Sequence, residues 1–257
     1  MRIMFLNQSP DDGDSARHAA TQNLLQGYAS PGTTIELCYP DDFPGARVFD
    51  VMGAQTVLTG LHHALETPAL VRKTVWAEQQ GFDAVIQSNT FDPGVEAARL
   101  AVRIPVVGLL RATLHTATIL ADRIGITVPL EGHVPHTWRI LRTYGMDGFV
   151  ADIRPIRIYG DDLQARKREI LETTVQVMRG LVADHRVEAV IPLGGALFPY
   201  VVDPRDLQAE VGVPVLNTKA IGIRFAETCV GLGMSHSWRT YPSASIAYED
   251  FGATASS

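Results

Sequence analysis

The chain of 257 residues lacks several features that would assign it to a special class. It has two cysteines, Cys38 and Cys229, too few for a disulfide framework or a cysteine metal cluster. No apolar run approaches the ~18 residues of a membrane span, and polar residues follow the first strand too early for a secretory signal. The net charge of −6 and the short basic run at Arg166–Arg168 argue against nucleic-acid binding. We therefore expect a soluble, cytoplasmic protein with no membrane or nucleic-acid partner.

Hydrophobic residues make up 46% of the chain, which is enough for a packed core. Short β-branched segments alternate with longer segments of helical periodicity, the pattern of parallel sheets with helices on both faces. The predicted strands are Arg2–Asn7, Thr33–Tyr39, Ala84–Gln87, Ile104–Leu109, Arg123–Val128, Ile153–Tyr159, Val187–Leu193 and Pro214–Asn217. The predicted helices are Ser15–Tyr28, Ala54–Gln80, Gly94–Val102, Pro135–Tyr144, Asp162–Asp184 and Lys219–Val230.

Two of these strands share a sequence. Phe82–Ile86 and Val187–Ile191 both contain Ala-Val-Ile, 105 residues apart, and each leads through a helix to a second similar strand. Such strings are common in buried strands, so chance is the alternative, but the shared order favours two related halves. Ligand loops follow the carboxyl ends of parallel strands. We therefore expect the loops 88–94 and 194–200 to flank one cleft.

Four stretches of the sequence share a pattern with a known family: Asp92-Pro93-Gly94-x-Glu96-Ala97-Ala98-Arg99, Pro105–Gly108, Leu193–Ala196 and Gly212–Asn217. Together they resemble the aspartate/glutamate/hydantoin racemase superfamily, in particular its hydantoin-racemase and arylmalonate-decarboxylase branch. The resemblance implies an α/β fold of two Rossmann-like or flavodoxin-like half-domains, related by a pseudo-two-fold axis around an active-site cleft. The first would comprise residues 1–110 plus 218–257, and the second residues 111–217. It also implies a cofactor-independent isomerase that acts on a small carboxylate or cyclic amide.

Racemases of this family use one cysteine in each facing loop, and this chain has Asn89 at the first position and Gly194 or Gly195 at the second. The two-thiol mechanism therefore cannot be carried over. Asn89, Thr90, Gly194 and Gly195 instead suggest an oxyanion pocket for an enolate-like intermediate, since amides and a hydroxyl can hold developing negative charge. The alternative is structural: a tight turn at the glycines, and a helix cap at Asn89. Three function classes stay open: an isomerase, a lyase such as a decarboxylase, and a hydrolase or non-catalytic binder.

Further candidates for substrate binding follow predicted strand ends: Asn7, Ser9, Arg111, Thr127, Thr218, Lys219 and, in the returning segment, His236. Lys219 could pair with a carboxylate, act as an acid or face solvent, and Arg111 could bind a carboxylate or form an interdomain ion pair. No metal or cofactor is expected. His133 and His136 have ligand chemistry at short spacing, but Pro135 lies between them and no third ligand is apparent. The pair His62-His63 is expected to be solvated or packed on a helix. The sequence leaves open whether the chain forms a homo-oligomer.

Overall fold

The computed structural model describes residues 1–48, 60–160 and 162–251, and within them the strands form two parallel sheets. The first has the order β2-β1-β3-β4, and the second β6-β5-β7. The strands are β1 (Arg2–Leu6), β2 (Thr34–Cys38), β3 (Ala84–Gln87), β4 (Val106–Gly108), β5 (Ile124–Val128), β6 (Val150–Pro155) and β7 (Ala189–Pro192). The helices are α1 (Ser15–Gln26), α2 (Leu61–Gln79), α3 (Val95–Ala101), α4 (Leu109–Leu120), α5 (His133–Tyr144), α6 (Lys167–His185), α7 (Pro204–Val211) and α8 (Thr218–Gly231). The predicted α/β class with parallel sheets is confirmed.

Side-chain alternation along β1 shows why the first sheet is covered on both faces. Ile3 and Phe5 pack with residues of α1, α4 and α8, whereas Met4 and Leu6 pack against α2. Successive side chains of a strand point to opposite faces, so a strand buried on both sides has an unbroken apolar sequence. No described helix is long and apolar enough to cross a membrane.

Helix α4, which the sequence analysis did not predict, connects the two sheets. Its Ala112 belongs to the core of the first sheet, and its Leu110 and Leu114 to the core of the second. Helix α8 crosses α4 so closely that a β-carbon at Gly222 would lie 2.3 Å from Leu109 Cδ2, so a larger residue there would have to displace the Leu109 side chain. The carboxyl-terminal helix thus packs on the first sheet, in keeping with the returning chain, although the exact half-domain boundaries stay a prediction.

The two strands that share a sequence, β3 and β7, have similar environments. β3 lies between β1 and β4. β7 pairs with β5 on one side and on the other forms a single parallel bridge, Val190 to Val215. The predicted strand Pro214–Asn217 is therefore reduced to this bridge. Asn217 is instead the amino-terminal cap of α8, because its side chain accepts from the backbone N–H groups of Lys219 and Ala220.

Other boundaries differ from the predictions. The strand predicted at Ile153–Tyr159 lies at Val150–Pro155; the buried Ile156 and Ile158 continue it only through single hydrogen bonds to Val128 and Pro129. The helix that was predicted without bounds between the strands Val187–Leu193 and Pro214–Asn217 is α7, which begins with an Asp203 cap followed by Pro204. The first part of the predicted helix Ala54–Gln80 falls on residues 49–59, outside the described residues.

Candidate active site

A narrow cavity of about 40 Å³ lies where the carboxyl ends of the two sheets meet. Its floor comes from the segments that follow β1, β3, β5 and β7, and its wall from α2, α5 and the segment after β6. All of its lining side chains are uncharged when the imidazoles are neutral. The described residues that line it are Gln8, His62, His63, Asn89, Phe91, Pro129, His133, Tyr159, Gly194 and Gly195.

The loops after β3 and β7 face each other, as the repeated sequence predicted, and they are directly bonded. The backbone N–H of Gly194 donates to Thr90 Oγ1 at 3.2 Å. Thr90 is 1% exposed and Gly194 is buried in contact with Pro129, so this bond is shielded from water. Thr90 therefore joins the two loops from beneath the cavity, and Asn89, Gly194 and Gly195 reach its surface.

Asn89 is held in one orientation from two sides. Its Oδ1 accepts from the backbone N–H of Phe91 at 2.8 Å, and its Nδ2 donates to Gln8 Oε1. Gln8 is itself oriented by Glu66, whose buried carboxylate accepts from Gln8 Nε2 at 2.5 Å. The side-chain amide of Asn89 consequently presents an N–H group, not its oxygen, toward His63 Nε2, 3.4 Å away.

Four buried histidines cluster beside Phe91, and none of them was expected to contribute to the site. His63 Nδ1 lies 3.2 Å from His136 Nε2, and the rings of His62 and His63 are 3.9 Å apart. His133 stacks on Phe91 with ring centroids 5.1 Å apart. The expectation that His62-His63 is packed is thus correct, and the alternative that it is solvated is wrong, since His62 is 2% and His63 7% exposed.

Burial keeps these imidazoles neutral. Desolvation, together with the smaller effect of neighbouring imidazoles, lowers the pKa of His63 to about 2 and that of His133 and His136 to about 4. Arg139, whose Nη2 lies 3.0 Å from His136 Nδ1, adds a positive charge that also disfavours protonation of His136. At neutral pH the cavity wall is therefore a set of uncharged hydrogen-bonding rings.

Lys219 is the buried cation of the site. Its Nζ donates to the carbonyl of Ser88, the first residue of the loop after β3, and a β-carbon at Gly195 would lie 3.5 Å from the same nitrogen. The side chain is 1% exposed, and burial lowers its pKa to about 7, opposed by the negative charge of Asp92. The alternative that Lys219 faces solvent is therefore wrong, and the other two stay open. Its amine lies close to Gly195.

Asp92, the first residue of the family-like string Asp92–Arg99, has a structural role. Its carboxylate accepts from the backbone N–H groups of Leu110 and Arg111 at 2.8 and 2.9 Å, and from the Tyr144 hydroxyl at 3.0 Å. These N–H groups belong to the first turn of α4, where a negative charge is favoured. Burial raises the pKa of Asp92, opposed by these hydrogen bonds. The residue fixes the first loop to the helix that joins both sheets.

Asn7, Ser9, Thr127 and Thr218, which were predicted to bind substrate, are not among the described residues that line the cavity. Asn7 bonds to Ser9 and Ser88, while Thr127 and Thr218 are buried near the end of β5 and at the start of α8. Gln8, between two predicted residues, is the one that lines the cavity. Sequence reasoning identified the right loop but not the side chain that points inward.

Arg111 and His236 have other partners. Arg111 Nη1 lies 3.3 Å from Glu96 Oε1 and 3.4 Å from the Tyr241 hydroxyl, so the structure favours the ion-pair alternative. His236 Nε2 lies 2.9 Å from the Val102 carbonyl. Neither residue lines the cavity, so their predicted roles in substrate binding have no support in the geometry.

Neither cysteine belongs to the described lining of the cavity. Cys38 is on β2 and Cys229 on α8, and burial raises the pKa of both thiols. Their thiolate forms are therefore disfavoured at neutral pH.

Among the described residues, Asp11, Asp12 and His18 form a group of potential metal ligands near the surface, with one ligand atom from each within 4.8 Å of the others. Asp12 there already pairs with Arg17. A larger open groove, about 390 Å³, lies beside Met1, but its buried carboxylate Glu227 is held by Ser30 and Arg224. In both places the carboxylates are thus already paired with other groups of the chain.

Little in the sequence pointed to the histidines of the cavity wall. His63 and His136 are 73 residues apart, on helices with no pattern in common, and helical periodicity does not distinguish a buried imidazole from a solvated one. Only the structure shows that His62-His63 and His133 lie at the starts of helices, because the predicted helices began at Ala54 and Pro135.

Comparison with known proteins agrees with this architecture. The model of the Asp/Glu/Hydantoin racemase family matches residues 18–226. A hydantoin racemase of Pseudomonas sp. (strain NS671) is 29% identical over 182 residues, covering 71% of this chain and 72% of that protein.

Solved structures show the same fold. An allantoin racemase from Pseudomonas fluorescens has a TM-score of 0.80 and 25% identity, covering 95% of this chain and 97% of that one. An arylmalonate decarboxylase shares the fold with a TM-score of 0.58 and 15% identity, covering 90% and 93%. The predicted superfamily and the prediction of a racemase-type enzyme are confirmed. Since the family match spans most of its length, the chain belongs to the Asp/Glu/hydantoin racemase family.

Proposed function

We propose that the protein isomerises a small cyclic amide of the hydantoin type through an enolate-like intermediate, without a catalytic thiol. The observation that carries the proposal is the cavity between the two loops, lined by neutral hydrogen-bonding groups. A hydantoin carbon between a carbonyl and a ring nitrogen is a weak acid. It loses its proton only if the charge that develops on the carbonyl oxygen is stabilised, and preorganised N–H donors in a site without bulk water do this.

The charge of the lining supports a neutral substrate over a carboxylate. Transferring a carboxylate from water to a buried site is costly unless a cation pairs with it. Within the described part of the cavity no arginine or lysine side chain reaches the surface. A cyclic amide carries only dipolar C=O and N–H groups, which match the imidazoles, the amides of Gln8 and Asn89 and the Tyr159 hydroxyl. The relatives named for hydantoin and allantoin racemisation point to the same substrate class.

Lys219 is the proposed base that takes the place of a cysteine. A base works best when its pKa lies near the working pH, and burial brings that of Lys219 to about 7. Nζ does not reach the cavity surface in this structure, so the role of base requires the amine to move past Gly195, which has no side chain to obstruct it. Inversion needs a protonated group at the other face. Tyr159 is such a group in the lining, because burial raises its pKa to about 12.

The cavity is small in this structure. Its volume of about 40 Å³ accommodates one or two water molecules but not a five-membered ring. Substrate entry therefore requires part of the lining to move, and a separation of the facing loops would break the bond between Thr90 and Gly194. Closure around the substrate would restore that bond and exclude water from the reacting carbon.

Decarboxylation of a small malonate is the second candidate function. The observation that favours it is Lys219 in its charged form, a buried cation beneath Gly195 that could pair with a carboxylate. Loss of CO₂ needs only an oxyanion site and a proton donor. This reaction predicts CO₂ release, whereas isomerisation predicts exchange of the ring C–H with solvent.

The test uses each enantiomer of 5-methylhydantoin in D₂O, followed by proton NMR and optical rotation. Exchange of the C5 proton with loss of rotation, and without CO₂, supports isomerisation. Absence of exchange, together with CO₂ release from methylphenylmalonate, would replace it by the lyase function. Lys219→Met should lower the exchange rate by more than ~100-fold, while Lys167→Met, at an exposed lysine at the start of α6, should match wild type.

A further inference from the structure

A row of side chains leads from the protein surface to the cavity. It begins at the exposed Arg139 and passes through His136 to His63, all joined by nitrogen–nitrogen contacts. Arg139 Nη2 lies 3.0 Å from His136 Nδ1, and His136 Nε2 lies 3.2 Å from His63 Nδ1. The row ends at His63 Nε2, beside the Asn89 amide.

The chemistry of the first residue decides the direction of every bond in this row. A guanidinium has only donors, so His136 Nδ1 must accept. A neutral imidazole carries one proton, and that proton of His136 is therefore on Nε2, from which it is donated to His63 Nδ1. The proton of His63 is in turn on Nε2. Desolvation supports the neutral forms, because it lowers the pKa of both rings well below neutrality.

The contact between His63 and Asn89 then joins two donors. Asn89 Nδ2 is fixed as a donor by Phe91 and Gln8, and His63 Nε2 is fixed as a donor by Arg139 through His136. Two N–H groups 3.4 Å apart cannot satisfy each other. A single acceptor oxygen inside the cavity, within reach of both nitrogens, can satisfy them together.

We infer that His63 Nε2–H and Asn89 Nδ2–H together bind the carbonyl oxygen of the substrate, and that Arg139 is the positioning residue that sets His63 in this donor form. The ligand class is a carbonyl compound whose oxygen gains negative charge during reaction, an assignment that rests on the proposed function. A neutral imidazole donor suits this task because it bonds the oxygen without presenting a full charge.

The donor pair differs from the oxyanion pocket expected from the sequence, in which Thr90 and the two glycines were donors together with Asn89. In the structure the Gly194 N–H is already used by Thr90. Among the described residues, the titratable groups that act on His63 are His62 on its own helix and His133 and His136 on α5. Arg139 contacts His136, Glu66 lies on the same helix as His63, and Tyr159 also lines the cavity. Of the nitrogen contacts described for His63, the one with His136 sets the tautomer, since Arg139 fixes its direction.

The first experiment measures the tautomer directly, without substrate. Nitrogen-15 correlation spectra of labelled protein at neutral pH should show His63 protonated on Nε2 and not on Nδ1. Arg139→Lys, which still donates, should keep this form. Arg139→Glu, which accepts, should reverse the row and move the proton to Nδ1. A wild-type His63 protonated on Nδ1, or a spectrum unchanged by Arg139→Glu, would overturn the inference.

The second experiment tests the oxygen site with hydantoin itself as the probe. Binding, followed at the Gly195 amide, should shift the His63 Nε2–H and one Asn89 Nδ2–H resonance downfield. Binding that leaves both resonances unshifted would overturn the assigned pair. If hydantoin does not bind at all, the proposed function fails, and the tautomer measurement still decides the role of Arg139.

Kinetics with 5-methylhydantoin separate a positioning role from a structural one. His63→Leu and Arg139→Glu should each lower kcat by about 10- to 1000-fold with KM changed by less than about threefold, since the oxygen is most negative in the transition state. His63→Gln and Arg139→Lys should recover part of the loss. His115→Leu, at an exposed histidine of α4, is the matched control and should equal wild type. A kcat within about twofold of wild type for His63→Leu would contradict the inference.

Discussion

Replacing Thr90 by valine tests whether the bond between the facing loops stabilises the fold. Threonine and valine have nearly the same shape, so the substitution removes the hydroxyl without leaving a cavity. It deprives the buried Gly194 N–H of its acceptor at 3.2 Å, where water has no access. Leaving a buried donor unpaired costs about 1–3 kcal/mol. For a chain of this size we expect the Tm to fall by roughly 2–10 °C.

Thr113 provides a matched control with the opposite sign. It is also fully buried, on α4, but its Oγ1 has no hydrogen-bond partner among the described residues. Valine at this position removes a hydroxyl that was buried without compensation, so Thr113→Val should leave stability unchanged or raise it by up to about 2 kcal/mol. Calorimetry or urea unfolding of both variants measures the difference.

The comparison of the two variants is decisive because their volume change is the same. Equal stability of Thr90→Val and Thr113→Val would refute the assignment of the Thr90 bond. Thr90→Val should also lower kcat by roughly 10- to 1000-fold with little change in KM, because the loops must close correctly around the transition state. Wild-type kinetics for this variant would show that the loop contact does not contribute to catalysis.

Three further predictions concern the same site. Lys219→Met should stabilise the protein most below pH 7, by up to about 5 kcal/mol, because the folded-state pKa of Lys219 lies below the ordinary value of 10.5. This stabilisation should disappear as the pH rises from about 7 to 10.5. Urea unfolding of both proteins from about pH 6 to about pH 10 measures the difference, and a difference that does not change with pH would contradict the buried charge. The double variant Cys38→Ala, Cys229→Ala should keep its activity and wild-type protein should resist iodoacetamide, whereas a loss beyond ~100-fold in turnover, about 2.7 kcal/mol, would restore a thiol mechanism. Gly194→Ala should destabilise the protein by about 1–3 kcal/mol, since the φ of Gly194 is +122° and a β-carbon there would lie 2.9 Å from a proline ring. Gly195→Ala should leave the Tm unchanged, and thermal melts of both variants check these two results. Gly195→Val should raise KM by filling the cavity, which kinetics measure.

The fold was largely predictable because parallel sheets have a strong local signature. Strands buried on both faces are continuous apolar runs, and β1, β3 and β5 appear in the sequence within two residues of their observed ends. The two loops were also predictable, since the ends of the matching strands β3 and β7 fix where the chain must turn. Helix α4 was missed because it follows β4 with no loop between them, so its first apolar residue was assigned to the strand.

The side chains that line the cavity were less predictable. Asn89 and the glycines were found from their place after a strand, and Lys219 from its place after Asn217. His63, His133 and His136 were not, because their importance depends on the packing of α2 against α5 around Phe91. Burial removes their charge, and only the folded chain determines which residues are buried.

Local pattern and residue identity were sufficient for the α/β class, for the positions of the two facing loops and for the observation that neither loop holds a cysteine. These properties are present before the chain folds. Folding was needed to bring together the groups of the cavity, to bury Lys219 so that its pKa falls to about 7, and to join Arg139 to His63 through His136. These properties depend on solvent exclusion and on contacts between residues far apart in the chain, which exist only when the two sheets have come together.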